Sequence, residues 1–340
     1  MDENYRNQLR ADAETGNKVA ERLLISGLLA ESEHEEIAAE LDRLEQRSGA
    51  VERGFVEAEL NCFHAWPCNE PWQDVLRECC DAGHAEARFV SALYHDWAQC
   101  GGKLTQTADD NSQQWTQGWS EWNEPTWTTV IDREGVRVER SDDFAPQALV
   151  GALRSILGSR LQPSSVIDPD SGIAIAHPVR INRSSQWLPE QLGWVGKLFE
   201  CRLAQAGGYQ VPHGEVLNLL HYQPGQHYKP HLDCMSSEQA ESPGGQAQGG
   251  QRMMTILMGM GSADFTGGET YFPKLELGVK LAAGELLRFN NANTEGHPLQ
   301  FAVHEGKPLE SGEKWLLSKW VRQLPTPYGR EVVIVSPNNH

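Results

Sequence analysis

The stretch HYQPGQHYKPHLD (221–233) ends on a histidine and an aspartate two residues apart, His231 and Asp233. Pro230 precedes His231 and biases Lys229 away from helical geometry, which disfavours reading His227 and His231 as an i,i+4 zinc pair on a helix. No HExxH glutamate is present either. In an extended strand, residues i and i+2 share a face, which puts the imidazole and the carboxylate side by side. Those are two ligands of an octahedral metal site, and a third from a distant strand completes a facial triad with three positions open. Taken alone, the HxD spacing also describes an ordinary hydrogen-bonded pair.

The downstream context adds to it. Residues 296–322 read GHPLQFAVHEGKPLESGEKWLLSKWVR, with His304 at a strand end and Lys314 ten residues later across a polar turn. Lys314 opens an alternating strand and can act as a fixed cation for a carboxylate reaching away from the metal, although a lone lysine there also reads as a solvated surface residue. His297, seven residues before His304 and followed by Pro298, competes for the third ligand position. The ten-residue step to lysine belongs to His304.

From about 140 to 325 the chain resembles the prolyl 4-hydroxylase family of Fe(II)/2-oxoglutarate dioxygenases. The resemblance rests on YxPGQxY followed by HxD (222–233), RMMTILMGM (252–260), GGETYFP (267–273), GELLRFNN (284–291) and HEGKPxxSGEKWLLSKWVR (304–322). It implies that His231, Asp233 and His304 bind iron. Lys314 pairs with the distal carboxylate of 2-oxoglutarate, and Tyr222 hydrogen-bonds that cosubstrate. Tyr228, Trp320 and Arg180 match positions that line or cover a substrate groove. Dioxygen is the second cosubstrate, and ascorbate is a further candidate. The implied reaction turns 2-oxoglutarate into succinate and carbon dioxide while hydroxylating a C–H bond, with a prolyl residue of a peptide or protein as substrate. Two other readings are a dioxygenase of this type acting on a free amino acid or small molecule, and a non-catalytic scaffold with a ligand-sensing β domain. Where relatives show YLN after RxxT this chain has MGMGSADF, and HxD is followed by Cys234 and Met235. Thr255 and Leu286 read as residues of the sheet core.

The elements that must position these residues divide the chain. Residues 1–98 read as helical, in the stretches Ala13–Ala30, Glu36–Leu44, Trp72–Cys80 and Glu86–Trp97, with apolar residues at three-to-four spacing. Gly16, Gly49 and Gly83 recur at 33 and 34 residues, each before a helical apolar run, a period of tetratricopeptide or Sel-like helical repeats. The region reads equally as a protein-docking surface or as a helical extension that packs on the second domain. Residues 99–127 form a tryptophan-rich linker in which Trp115, Trp119, Trp122 and Trp127 suit burial at a domain junction. Residues 128–326 are the oxygenase domain and 327–340 a tail. The fold class is α+β: a double-stranded β-helix, or jelly roll, with flanking helices behind a helical repeat-like domain.

Within the β-rich part, Thr128–Ile131, Val136–Glu139 and the runs 215–222, 228–232, 252–260, 269–272, 279–281, 285–290, 299–304 and 314–322 read as strands. Pro146–Leu161 reads as a helix capped through Asp142 and Asp143, and 188–206 as a second helix stopped by Gly207 and Gly208. Loops at 177–187 and 236–250 would cover the mouth.

Charge and composition narrow the partners. Acidic residues outnumber basic ones 47 to 29, a net charge of −18, which repels phosphate backbones and anionic membranes. No signal peptide and no long apolar span is evident, and the seven cysteines lack paired CxxC spacing, which suits reduced thiols and a cytoplasmic location.

Overall fold

A computed structural model describes residues 3–91 and 125–332, apart from 18–19, 22–23, 26–27, 29–32, 65–69, 89, 143, 165, 168–173, 176–178 and 189–190. Trp115, Trp119 and Trp122, and the last six residues of the helix expected over Glu86–Trp97, lie outside the described residues. The chain forms two compact units, one of Met1–Ser120, Leu188–Leu203 and Arg330–His340, the other of Glu121–Trp187 and Ala204–Gly329.

The first unit is helical. Helices Glu3–Glu14, His34–Ser48, Ala50–His64 and Trp72–Asp81 place apolar faces inward, with Leu9, Ile37, Leu41, Leu44, Val56 and Leu60 in one core. Helix Ala50–His64 is the apolar run that follows Gly49, and it contains Gly54. A Cβ at that glycine would already touch Val75 and Cys79 at 3.4 and 3.5 Å, so the small residue serves close helix packing. Gly16, Gly49 and Gly83 all have positive φ (84°, 91° and 92°), where glycine lets the backbone leave one helix and enter the next.

The second unit contains sixteen strands among the described residues: β1 (Thr128–Arg133), β2 (Val136–Ser141), β3 (Gln162–Pro163), β4 (Val166–Ile167), β5 (Ala174–Ile175), β6 (Arg183–Trp187), β7 (Leu217–Tyr222), β8 (Tyr228–His231), β9 (Arg252–Gly259), β10 (Thr266–Gly267), β11 (Thr270–Phe272), β12 (Leu277–Val279), β13 (Leu286–Asn290), β14 (His304–Gly306), β15 (Leu309–Ser311) and β16 (Lys314–Arg322). The large sheet runs β1-β2-β13-β9-β16-β7-β6-β3 and a smaller one β12-β11-β14-β8, all pairs antiparallel. One core joins them: Val138, Leu220, Leu257, Phe289 and Leu316 from the large sheet meet Phe272 and Val279 from the small one. Alternation along β7 and β16 therefore sends every second side chain between the sheets, where the site lies.

Several local expectations are corrected. Residues 236–250 are not an open loop but hold helices Ser237–Glu241 and Pro243–Ala247, the first closed by a capping box between Ser236 and Gln239. Residues 183–187 of the expected covering loop are β6, which pairs with β7 inside the large sheet. The expected strand 299–304 is a 3-10 turn over Gln300–Ala302, and β14 starts only at His304. Helix Gln147–Gly158 has Pro146 at its N-cap and no side-chain cap; Asp142 accepts from Arg140 Nε at 2.8 Å, and Asp143 lies outside the described residues. Among the described residues, no helix is long and apolar enough to cross a membrane. Cys62, Cys79, Cys80, Cys201 and Cys234 are all free thiols.

Candidate metal and cosubstrate site

Strand pairing brings the separated motifs together. His304 opens β14 directly opposite His231, the last residue of β8, in the small sheet. Lys314 opens β16 directly opposite Tyr222, the last residue of β7, in the large sheet. Two ladder pairs on facing sheets thus supply four of the five residues.

Asp233 is the fifth and is placed differently. It lies beyond the end of β8, in a bend, and not in the strand that the two-residue spacing suggested. It still meets the histidines: His231 Nε2 is 3.5 Å from Asp233 Oδ1, and His304 Nε2 is 3.6 Å from Oδ2. Ligand atoms of the three residues all lie within 4.8 Å of one another. His297 is exposed, its backbone N–H donating to Asn293 Oδ1, and it does not join the group.

Hydrogen bonds leave the right atoms free. His231 Nδ1 contacts the Lys229 carbonyl at 2.8 Å, and His304 Nδ1 contacts the Ala302 carbonyl at 3.1 Å. A carbonyl only accepts, so each Nδ1 carries the proton and each Nε2 presents its lone pair. Burial lowers the His304 pKa to about 4, which keeps the imidazole neutral as a ligand must be. Burial opposes ionisation of Asp233, but His304, His231 and the Thr255 hydroxyl outweigh it and hold the carboxyl well below the usual carboxylate range. Two neutral imidazoles and one carboxylate fit a divalent iron with positions left open.

The other end of the cavity is cationic. Lys314 is 3% exposed, and its Nζ donates to Thr270 Oγ1 at 3.3 Å and sits 5.1 Å from the Tyr222 ring centre. Burial drops its pKa from 10.5 to about 7, only partly opposed by Glu269. Such a buried ammonium suits an anion that enters with its ligand. The GG pair before β11 makes this end possible. Gly267 and Gly268 turn with φ of 67° and 68°, and a side chain at Gly267 would collide with the Pro308 carbonyl.

A small cavity that opens to solvent joins the two ends, walled by Leu220, Leu257 and Leu316. Arg180, Tyr228 and Trp320 line it as well. Tyr228 stacks on His231 at 3.6 Å between ring centres, and the Arg180 guanidinium lies 5.0 Å from the Tyr228 ring. Segment 179–181 runs as an edge along β8, with Lys229 N–H bonded to Val179 O and Ile181 N–H bonded to His227 O. Trp320 is covered by Arg252 at 3.6 Å.

Burial pushes the Tyr222 phenol up to about 12, so it stays a hydroxyl able to donate. Thr255 is the residue that sequence reading missed. Its place in an apolar strand reads as sheet core, but its hydroxyl bonds Asp233 Oδ2 at 2.6 Å. The only signal was its place in RMMTILMGM, three after Arg252, whose guanidinium bonds the Asp233 carbonyl oxygen at 3.3 Å.

The low Lys314 pKa gives a pH prediction. An incoming carboxylate raises that pKa, so binding takes up a proton above pH 7. The Kd of 2-oxoglutarate should rise as pH climbs through 7, by up to about tenfold per unit until the bound-state pKa is reached. Calorimetry in two buffers of different ionisation heat measures the proton uptake; a pH-independent Kd without uptake would show that Lys314 is charged before binding.

A profile of the 2OG-Fe(II) oxygenase superfamily matches residues 217–322, from β7 to the end of β16. Prolyl 4-hydroxylase 1 of Arabidopsis thaliana is 33% identical over 199 residues, covering 54% of this chain and 68% of the relative. A putative prolyl 4-hydroxylase of Acanthamoeba polyphaga mimivirus is 35% identical over 150 residues, covering 42% of this chain and 58% of the relative. Among solved structures, the viral collagen prolyl hydroxylase of Paramecium Bursaria Chlorella virus-1, in a 2OG complex, aligns with a TM-score of 0.43 at 22% identity, covering 55% of this chain and 96% of that one. The motifs placed on facing sheets and the breadth of the plant relative's match lead to one assignment: the chain belongs to the 2OG-Fe(II) oxygenase superfamily, in its prolyl 4-hydroxylase family, and is a 2-oxoglutarate-dependent dioxygenase.

Proposed function

We propose that the protein hydroxylates a prolyl residue of a peptide or protein, on a double-stranded β-helix formed by its eight-stranded and four-stranded antiparallel sheets. One observation carries the reading: a two-histidine, one-carboxylate donor set and a buried lysine share a single cavity. His231, Asp233 and His304 would hold Fe(II), which when bound would activate dioxygen, the oxidant that couples 2-oxoglutarate decarboxylation to C–H hydroxylation. Lys314 would take the distal carboxylate, and the Tyr222 hydroxyl would donate to the same cosubstrate. Leu220, Leu257 and Leu316 would exclude water around its methylene carbons. Tyr228, Arg180 and Trp320 line the same cavity and are the residues we assign to the substrate. Ascorbate would serve as an accessory to this chemistry.

The glycine-spaced helices of the first unit would act as Sel-like repeats that dock a protein partner, and reduced thiols favour a cytoplasmic setting. A scaffold reading is disfavoured physically. A buried lysine that Glu269 only partly offsets costs folding stability, and a protein that only docks partners has no use for it. The test offers proline-containing peptides and free proline separately, with Fe(II) and 2-oxoglutarate, and reads succinate and hydroxyproline by mass spectrometry. Hydroxylation of peptide but not free proline is expected. The reverse result assigns the enzyme to a small-molecule substrate.

A further inference from the structure

We propose that Thr255, oriented by Asn291, is a positioning residue that keeps Asp233 bound to the metal through one oxygen. The inference deepens the iron reading and rests on it. Asp233 lies outside β8, so the ladder that aligns His231 with His304 does not extend to it. Its placement comes from β9 instead. Thr255 bonds its carboxylate at 2.6 Å, and Arg252 Nη1 bonds its carbonyl oxygen at 3.3 Å.

The Thr255 hydroxyl has a fixed direction. Asn291 Nδ2 donates to the same oxygen at 2.8 Å, so the hydroxyl proton is left for Asp233, an acceptor only. Both residues are buried, at 1% and 0% exposure. Thr255 is paired on both sides, with Phe289 of β13 and Trp320 of β16, which makes its strand a rigid platform. Asn291 is held in turn, its N–H bonded to Met253 O at 2.8 Å and its own carbonyl accepting from Leu299 N–H at 2.9 Å.

The consequence follows from counting coordination positions. A carboxylate that chelates through both oxygens takes two of six, leaving two beside the histidines. A keto acid cosubstrate that chelates needs both of those, with none left over. The Thr255 bond occupies Oδ2, so chelation by Asp233 must compete with a short charge-assisted hydrogen bond. Single-oxygen binding preserves the third open position. A threonine that merely filled the sheet would be replaceable by valine, which has the same shape and no hydroxyl.

The experiment uses Co(II) alone as probe, with the full chain, comparing wild type, Thr255→Val and Thr255→Ser by calorimetry and visible absorption. Circular dichroism and thermal unfolding establish that each variant is folded, and Thr255→Ala replaces the valine variant should that one not fold. Thr255→Val should weaken Co(II) binding roughly 10–100-fold, the usual cost of losing a hydrogen-bond partner behind a ligand, and alter the Co(II) d–d bands. Thr255→Ser should restore both. A folded Thr255→Val protein with wild-type affinity and bands overturns the proposal, as does a serine variant as impaired as valine. Failure of the wild type to bind Co(II) would instead overturn the metal reading beneath it.

Discussion

His304→Ala is expected to abolish metal-dependent binding of 2-oxoglutarate, whereas His297→Ala leaves it intact. The two histidines are seven residues apart, and sequence alone makes them competitors. In the structure His304 Nε2 faces Asp233 Oδ2 at 3.6 Å, and its Nδ1 is committed to the Ala302 carbonyl. His297 is exposed in the loop that precedes the 3-10 turn. Removing a ligand should exceed the roughly 10–100-fold loss that follows removal of an outer hydrogen-bond partner. Metal titration followed by 2-oxoglutarate calorimetry checks both variants. Loss of metal in His297→Ala with retention in His304→Ala would overturn the triad.

Lys314→Met should move binding and stability in opposite directions. The ammonium is buried against Thr270 and the Tyr222 ring, with its pKa lowered to about 7. Its folded pKa lies below the unfolded value near 10.4, so the unfolded chain binds the proton more tightly between those limits. The charged lysine therefore destabilises the ligand-free protein fully below pH 7, and that penalty is progressively lost as pH rises from 7 toward 10. Methionine fills similar volume without charge. The ligand-free variant should melt higher at pH 6.5, by about 2–4 °C for each kcal/mol recovered in a domain of this size, with a smaller gain at pH 9. Its 2-oxoglutarate affinity should fall by about two orders of magnitude or more, matching the 3–5 kcal/mol typical of breaking a buried ion pair. Differential scanning calorimetry and binding calorimetry at the two pH values measure both effects. A variant that binds 2-oxoglutarate normally would remove Lys314 from the cosubstrate site.

These two residues also show what the sequence made legible. β16 begins at Lys314 and ends at Arg322, as alternation of apolar and polar residues indicated. His304 at a strand end and Lys314 at a strand start are positions fixed by local pattern, and the ladder pairs opposite His231 and Tyr222 follow from antiparallel folding. Asp233 was found by a period-2 argument, yet it lies past the strand, and its partners Thr255 and Arg252 are 22 and 19 residues away. No local pattern announces a hydrogen bond over that separation. A threonine in an apolar strand looks like sheet filling until its neighbour across the cavity is known.

The helices at 237–247 illustrate the opposite failure. Their capping box was written in the sequence as Ser236 and Gln239, but glycine-rich composition outweighed it. Within helix Ala50–His64, Gly54 is there for close packing rather than to end the helix. In the first unit the spacing of Gly16, Gly49 and Gly83 was legible, while their positive φ, which glycine takes without strain, is seen only in the structure.

Succinate release tests the central claim most directly, namely that His231, Asp233, His304 and Lys314 form one 2-oxoglutarate-dependent iron site. Purified protein is supplied with 2-oxoglutarate, air and a proline-containing peptide, with and without Fe(II), beside the Asp233→Ala variant. The account predicts succinate in proportion to hydroxylated peptide, only with iron and only with Asp233 present. Folded wild-type protein that binds no 2-oxoglutarate and releases no succinate with iron, or an Asp233→Ala variant that turns over as fast as wild type, would contradict it.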